Sequence, residues 1–463
     1  MNLRRNLVMA AAVAATIQTP LALAQSDAER IQKLEAQLVQ QQEAIQMMQQ
    51  ELQRLKSSDP AQAPMATVPV EDLHEPVAVA SAPKDISAET VLGFDIYGFV
   101  MADAIYDFNR VDPDWNDTLR VSTIPTTEGM YGDDGEFVFS VRQSRLGFAG
   151  DWDTDAGKVT ALFEWELYGT GGDAGQTTPR LRHAYGTWKN FGMGQTWSNF
   201  MDADVFPNTI DYWGPTGMVF YRNQQARYTF PMGEDEFAVS LEDPGTALSI
   251  GKFRDDCANE IGDSCDSTLG DEFQAKNDVP DIVLRYRDNT DWGHWQVAGI
   301  GRKLGFERKD TGASDHEFGW GINASTVIQT TDLDRLKLQV VYGEGIGNYM
   351  NDGGLDIAPK SDDPENNGAE TVPLLGIVAY YDHYWNERWS TSVGWSSITL
   401  DTTDGQAFDE FETGQIAQIN LLHYPTDGVL VGGELIWGER EDVDGASGDD
   451  LRIQMSLKVN FPR

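Results

Sequence analysis

The chain has 463 residues, with 74 Asp or Glu against 34 Lys or Arg, for a formal net charge of −40 at pH 7. An acid excess of that size repels a polyphosphate backbone, so nucleic acid is excluded as a partner. The same excess serves solubility, or, in a functional reading, bridging through divalent cations to an anionic lipid surface.

The first residues, MNLRRNLVMAAAVAATIQTPLALAQ, place Arg4 and Arg5 before an apolar run and end on Ala22-Leu23-Ala24. That is the pattern of a secretory signal peptide, residues 1–24, cut after Ala24. Gln18, Thr19 and Pro20 interrupt the run before it reaches the roughly 20 residues that a spanning helix needs. Loss of Arg4 and Arg5 leaves a mature charge of about −42. No later segment is long and apolar enough for a transmembrane helix, so a mature chain that crosses a membrane does so as a closed barrel.

Residues 28–56 carry spacings of three and four through Ile31, Leu34, Leu38, Gln41, Ile45, Met48, Leu52 and Leu55. This heptad seam predicts a short coiled coil and hence self-association, with Gln41 as the polar position that fixes register. A single amphipathic helix lying on another surface is the alternative. Residues 57–90 hold Pro60, Pro64, Pro69, Pro76 and Pro83 without periodicity and read as an extended linker.

From residue 92 to 463 the pattern has period two. In the final stretch Leu451, Ile453, Met455, Leu457, Val459 and Phe461 alternate with Arg452, Gln454, Ser456, Lys458 and Asn460. Such alternation is a strand with one greasy and one wet face. Sixteen strands are predicted, near 93–108, 136–150, 158–169, 179–189, 192–198, 222–231, 236–242, 279–288, 293–304, 317–330, 335–344, 372–385, 388–400, 411–424, 428–440 and 450–461. Short connections such as 151–157, 188–192 and 384–388 alternate with long ones at 109–135, 198–221, 243–278 and 344–370. Tight turns on one rim and long loops on the other predict an all-β transmembrane protein, an antiparallel β-barrel of about sixteen strands in a Gram-negative outer membrane. An even count returns the C-terminus to the side where the barrel began, which puts the coiled coil in the periplasm. Trp188, Trp197, Tyr342, Tyr384, Trp385, Trp389, Tyr424 and Trp437 sit at strand ends, where aromatic girdles meet the lipid interfaces. A soluble sandwich or propeller explains the alternation but not the loop lengths or the leader.

Strand parity sorts the polar residues. With Leu181 and Tyr185 outward, Arg180 and Arg182 point into the lumen. With Ile282, Leu284 and Tyr286 outward, Arg285 and Arg287 do the same, and Arg145 and Arg227 follow by the same rule. Arg222 stands at the end of a long segment, on an uncertain face. A group of guanidinium ions in a low-dielectric wall makes a positive eyelet suited to carboxylates. The other reading is that these arginines neutralise the lumen acids Glu164 and Glu166 and stiffen the wall. Segment 198–221, with Asp202, Asp204 and Asp211 among aromatic residues, is the candidate for a loop folded inward to narrow the pore. Its acids would then oppose the wall arginines across the eyelet; an outward surface loop or a subunit contact is the alternative.

Cys257 and Cys265 lie in one acidic, Gly-rich stretch and are expected to pair as a disulfide in an exported protein. Zinc is the weaker reading, since no histidine or second cysteine pair lies near. No metal site or cofactor is expected. An enzyme is not expected either: His183, placed by parity on the outward face, is the only one of six histidines inside a distinctive motif, and no nucleophile elbow or metal pair accompanies it.

Three stretches resemble porins: SRLGFAG at 144–150, RNQQARYTFP at 222–231 and, most specifically, LRHAYGTWKNFGMGQTWSNFMD at 181–202 following a coiled coil. The last resembles the DcaP-like trimeric outer-membrane porins. The resemblance implies a homotrimer with a periplasmic coiled-coil stalk, set among outer-membrane lipid and lipopolysaccharide, that takes up small anionic solutes such as dicarboxylates. Outer-membrane barrels usually end on the aromatic residue, whereas Pro462 and Arg463 follow Phe461 here. The alternatives are a structural barrel whose coiled coil and linker reach the cell wall or a periplasmic partner, and a nonspecific or cation-preferring channel.

Overall fold

The computed structural model describes residues 94–254, 273–308, 312–361 and 368–461. The expected signal peptide, coiled coil and linker, and the Cys257–Cys265 pair, lie outside the described residues. The strands, in chain order, are β1 Asp95–Asp107, β2 Glu136–Ser140, β3 Arg145–Thr154, β4 Gly157–Tyr168, β5 Thr177–Trp188, β6 Phe191–Trp197, β7 Arg222–Met232, β8 Asp235–Glu242, β9 Phe273–Ala275, β10 Asp281–Thr290, β11 Gly293–Arg308, β12 Ser314–Gln329, β13 Arg335–Glu344, β14 Ile357–Pro359, β15 Ala369–Thr371, β16 Pro373–Asn386, β17 Trp389–Leu400, β18 Phe411–Thr426, β19 Val429–Asp442 and β20 Ser447–Asn460.

Sixteen of these are staves of one antiparallel barrel. Each pairs with its sequence neighbour, and β1 meets β20 from Phe99↔Asn460 to Asp107↔Arg452, which closes the ring and leaves no edge. β2 covers the upper half of β1 where β3 covers the lower half. β9 caps the end of β11, and β14 with β15 forms a separate hairpin.

The segment expected as one strand over 136–150 is broken. A turn at Val141–Ser144, closed by the Ser144 amide on the Val141 carbonyl at 3.0 Å, separates β2 from β3 and buries Arg142 and Gln143 inside the barrel. The short stave foreseen at 236–242 is present as β8.

Outward parity follows the sequence pattern. On β20, Ile453, Met455, Leu457 and Val459 are exposed, whereas Arg452, Gln454 and Ser456 are buried in the interior. Trp188, Tyr342, Trp385 and Trp389 face outward as girdle residues should. Trp197 and Tyr424 do not: both are buried in the lumen, and Tyr384 is half-buried with its hydroxyl turned toward Asn208.

The interior is not uniformly polar. Val283, Ala298, Ile300, Val341, Val378 and Ile398, inward on β10 to β17, form a core with Phe200, Met201, Val205, Met218 and Val219 of loop 198–221 and with Ile346, Tyr349 and Met350. A second core joins Val111, Leu119, Val121 and Ile124 of the first long loop to Ile416 and Ile436. Burying each such side chain stabilises the fold by about 1.5–3 kcal/mol, so the loops are bound into the barrel by apolar contact as well as by polar contact.

On the short-turn rim Asp334 clamps the connection between β12 and β13 to β16. Its carboxylate accepts from the Tyr381 hydroxyl and from His383 Nδ1, each at 3.0 Å, and from the Tyr384 amide at 2.8 Å. Burial lifts this carboxyl, but the amide of Tyr384 with His383 and Tyr381 outweighs burial and holds it below the usual carboxylate range. A depressed carboxyl contributes stability above the ordinary carboxylate pKa and loses it as pH falls through the folded value. Asp334→Ala is therefore expected to lower the urea unfolding midpoint near neutral pH by the equivalent of about 1–3 kcal/mol and to flatten the loss of stability toward acid. Equal midpoints for the two proteins at pH 7 would show that the clamp contributes nothing.

Candidate functional site

The staves β3 to β10 present arginines to the lumen. Glu166 on β4 is the hub of the upper group: it accepts from Arg180 Nε at 2.7 Å, from Arg182 Nη1 at 2.6 Å and from the Tyr212 hydroxyl at 2.5 Å, and lies 3.7 Å from Arg222 Nη2. Glu164 pairs with Arg182 and lies 3.5 Å from Arg145 Nε. The Arg222 guanidinium sits 4.9 Å over the Trp197 ring, and its Nη1 is buried with no hydrogen-bond partner.

Lower on the same wall, Arg227 bonds Gln225 Oε1 at 2.9 Å and the Trp197 carbonyl at 2.6 Å, with no carboxylate partner among the described residues. Arg285 pairs with Glu236, and Arg287 with Asp204 and, at 3.5 Å, Asp202. Seven guanidinium groups thus stand among the five carboxylates that they contact and Glu242 of β8, buried on the same wall, a local excess of one positive charge in a chain whose total is −40. The arginines neutralise Glu164 and Glu166, and a positive remainder is left.

One departure from strand parity arises at the most distinctive stretch. The β4–β5 register runs Glu164↔His183 and then Trp165↔Leu181, so Arg182 is an extra residue in β5. Such a bulge reverses the faces beyond it. Leu181 and Arg180 lie as expected, but His183 and Tyr185, expected outward, are buried inside the lumen wall. The His183 Nδ1 lies 3.0 Å from Thr196 Oγ1.

Loop 198–221 runs inside the barrel. Asn208 donates its amide to Asp382 at 3.1 Å and its side chain to Ser390 and Tyr424 at 3.2 and 3.1 Å. The Ile210 peptide is held at both ends: its N–H donates to Glu434 at 2.8 Å, and its carbonyl accepts from Gln143 at 2.8 Å and Gln454 at 3.1 Å. At Gly217 the loop touches the β17 backbone so closely that a Cβ there would lie 1.9 Å from the Ser397 carbonyl oxygen.

The loop acids do not oppose the arginines across a gap, contrary to expectation. Asp202 and Asp204 contact Arg287 directly, and Asp202 also meets His294 Nε2 at 2.8 Å and Ser325 Oγ at 2.6 Å. Asp211 turns to the far side, where it accepts from Thr118 Oγ1 at 2.8 Å and the Leu119 amide at 3.1 Å and lies 3.4 Å from Arg452 Nη1. The acids of that side, Asp103, Asp107 and Glu434, are buried, and Glu434 is bonded to the loop itself.

A family model described as DcaP outer membrane protein matches residues 20–245. Over that segment, just under half of the chain, the sequence is similar to the DcaP family. The likeness of the fold extends past that segment: the crystal structure of the outer membrane channel DcaP of Acinetobacter baumannii superposes with a TM-score of 0.66 at 23% identity, covering 80% of this chain and 97% of that chain. The anion-selective porin from Comamonas acidovorans superposes with a TM-score of 0.50 at 10% identity, covering 80% of this chain and 99% of that one. No curated protein matches the chain. The match to a family of outer membrane proteins and the closed barrel give the chain the fold of an outer-membrane channel.

Several residues that shape this lumen were not singled out from sequence. Arg452, fully buried and bonded to Asp107 at 2.6 and 2.8 Å, was legible from the parity of the last strand. Tyr212 and Asn208 carry no such signal, because a loop has no period. Among the wall arginines Arg222 combines the longest ion pair with an unused donor, so Arg222→Ala should leave assembly intact and reduce the permeability ratio of chloride to potassium in a planar bilayer. An unchanged ratio would mean that Arg222 does not face the permeating ion.

Proposed function

We propose that the channel passes small hydrophilic anions, carboxylates and dicarboxylates in particular, by facilitated diffusion along the arginine wall. The observation that carries this reading is the asymmetry of the lumen. Glu434 and Asp103 are held against loop 198–221, and Asp442 and Asp450 against the first long loop, while the wall of β3 to β10 keeps a small excess of guanidinium groups, among them Arg227, which has no acid partner among the described residues. Selectivity in a channel is set by the charges at its narrowest point and not by the total charge, so an acidic protein can prefer anions. A planar guanidinium fork binds a carboxylate through two hydrogen bonds, and successive arginines at different heights would hand such a solute along the wall. The Comamonas porin, a fold neighbour, is anion-selective, which agrees with this direction.

In this reading the mature protein is a homotrimer whose residues 28–56 form a periplasmic coiled coil. The Pro-rich residues 57–90 link that stalk to the barrel, and signal cleavage follows Ala24. Arg145, Arg180, Arg182, Arg222, Arg227, Arg285 and Arg287 line the passage with Glu164 and Glu166. Asp202, Asp204 and Asp211 anchor the constricting loop, and no catalytic chemistry is involved. A structural role is the second reading, favoured by the heptad seam, which a bare channel does not need. Deleting 28–90 and retaining solute uptake while the envelope weakens would support it.

The test is the reversal potential of the purified protein across a salt gradient, followed by addition of succinate. Anion preference with concentration-dependent current block is expected, both falling in the Arg180→Ala, Arg182→Ala, Arg285→Ala triple variant. Cation preference without block would overturn the anion assignment.

A further inference from the structure

Where loop 198–221 leaves the barrel wall, a second chemistry is present. Asp202 is fully buried, and its Oδ2 accepts from Ser325 Oγ at 2.6 Å and meets His294 Nε2 at 2.8 Å. Asp204, partly open to the lumen, stands beside it, and one oxygen of each carboxylate and the imidazole nitrogen all lie within 4.8 Å of one another. The three side chains arrive from a loop and from β11, and Ser325 of β12 orients the inner carboxylate. A hydrogen-bond donor behind a coordinating carboxylate is the usual support of a metal ligand.

The cluster already gathers one cation. The Arg287 guanidinium spans both carboxylates through its two Nη atoms, while its Nε donates to Asn289 Oδ1 at 3.0 Å. Two carboxylates and one guanidinium sum to a single negative charge. Asn289 gives the guanidinium a foothold of its own, so Arg287 can release the acids without losing every partner.

We propose that Asp202, Asp204 and His294 form a binding site for a borderline divalent cation of the zinc or nickel type, which exchanges with the guanidinium of Arg287. One imidazole nitrogen, two carboxylate oxygens and a lumen water complete a four-coordinate set suited to such ions. Calcium and magnesium, which take six or more oxygen ligands, are poorly served by it. Occupancy reverses the local charge from −1 to +1, counted over these two acids, Arg287 and the ion, and frees the Arg287 fork toward the lumen. If the anion reading of the channel holds, the metal would then strengthen anion preference.

Equilibrium dialysis of the full-length, chelator-stripped protein in detergent against zinc chloride tests the site directly. The expected result is one zinc per chain that is lost, or bound at least about tenfold more weakly, in both His294→Ala and Asp204→Asn. Asp204 is the less buried ligand, so Asp204→Asn decides alone if the histidine variant fails to assemble. Equal zinc binding by wild type and Asp204→Asn would overturn the proposal, with the ions assigned to other histidines. In the bilayer, micromolar zinc is expected to move the reversal potential toward anions, and magnesium is expected not to. Zinc binding without that shift overturns the link to conduction while the dialysis result still establishes the site, so the two failures are distinguishable.

Discussion

Every backbone N–H and C=O that lies at membrane depth must find its partner within the protein, because hydrocarbon supplies none. A ring of antiparallel staves closed by β1 against β20 meets that requirement, and the rest of the molecule follows from it. Closure fixes the faces: alternate residues such as Ile453, Met455 and Leu457 meet lipid, and Arg452, Gln454 and Ser456 have no choice but to turn inward. The same geometry creates an interior lined by charges, which must be paired, hydrated or covered. What the chain does with those charges decides what passes.

It deals with them differently on the two sides. On the side of β18 to β20 and β1, the acids are spent on structure, Glu434 and Asp103 against loop 198–221 and Asp442 and Asp450 against the first long loop. Glu434 holds the Ile210 amide, Asp107 holds Arg452, and Asp103 accepts from Gln143 and Gln454, which also hold the Ile210 carbonyl. Removing one partner from the buried Asp107–Arg452 ion pair costs about 3–5 kcal/mol, so that pair is fixed by stability whatever the solute. On the side of β3 to β10, acids are fewer than arginines, and Tyr212 reaches from the loop to join Glu166, Arg180 and Arg182. The loop therefore acts twice, as a cover for one wall and as a brace for the other.

Much of this was legible in the sequence, because period two is a strong signal and the staves are long. All sixteen stave positions were readable, and so were the inward directions of Arg145, Arg180, Arg182, Arg227, Arg285 and Arg287. Parity is a property of one strand, however, and it fails where the partner strand forces an irregularity. The bulge at Arg182, which turns His183 and Tyr185 inward, is a matter of register against β4 and leaves no mark in LRHAYGTW. The break at Val141–Ser144 escaped for a related reason. Arg142 is drawn to Asp117 at 2.7 Å across a loop, a contact between segments that share no pattern. Loop 198–221 was recognisable as a candidate by its length and position, but the partners of Asp202 and Asp211 depend on where its path meets the far wall. That path is set by Asn208, Ile210 and Gly217 together with the apolar core beneath them.

In the proposed channel, loop 198–221 covers Asp103 and Glu434 and leaves the arginine wall as the passage. The most direct measurement is the single-channel conductance and ion preference of a variant in which residues 203–218 are replaced by a short Gly-Ser link. A conductance several times larger and a preference moved toward cations are expected, because Asp103 and Glu434 become exposed to the permeating solution. Conductance and preference both unchanged would contradict this arrangement, since the loop would then neither narrow the lumen nor mask its acids.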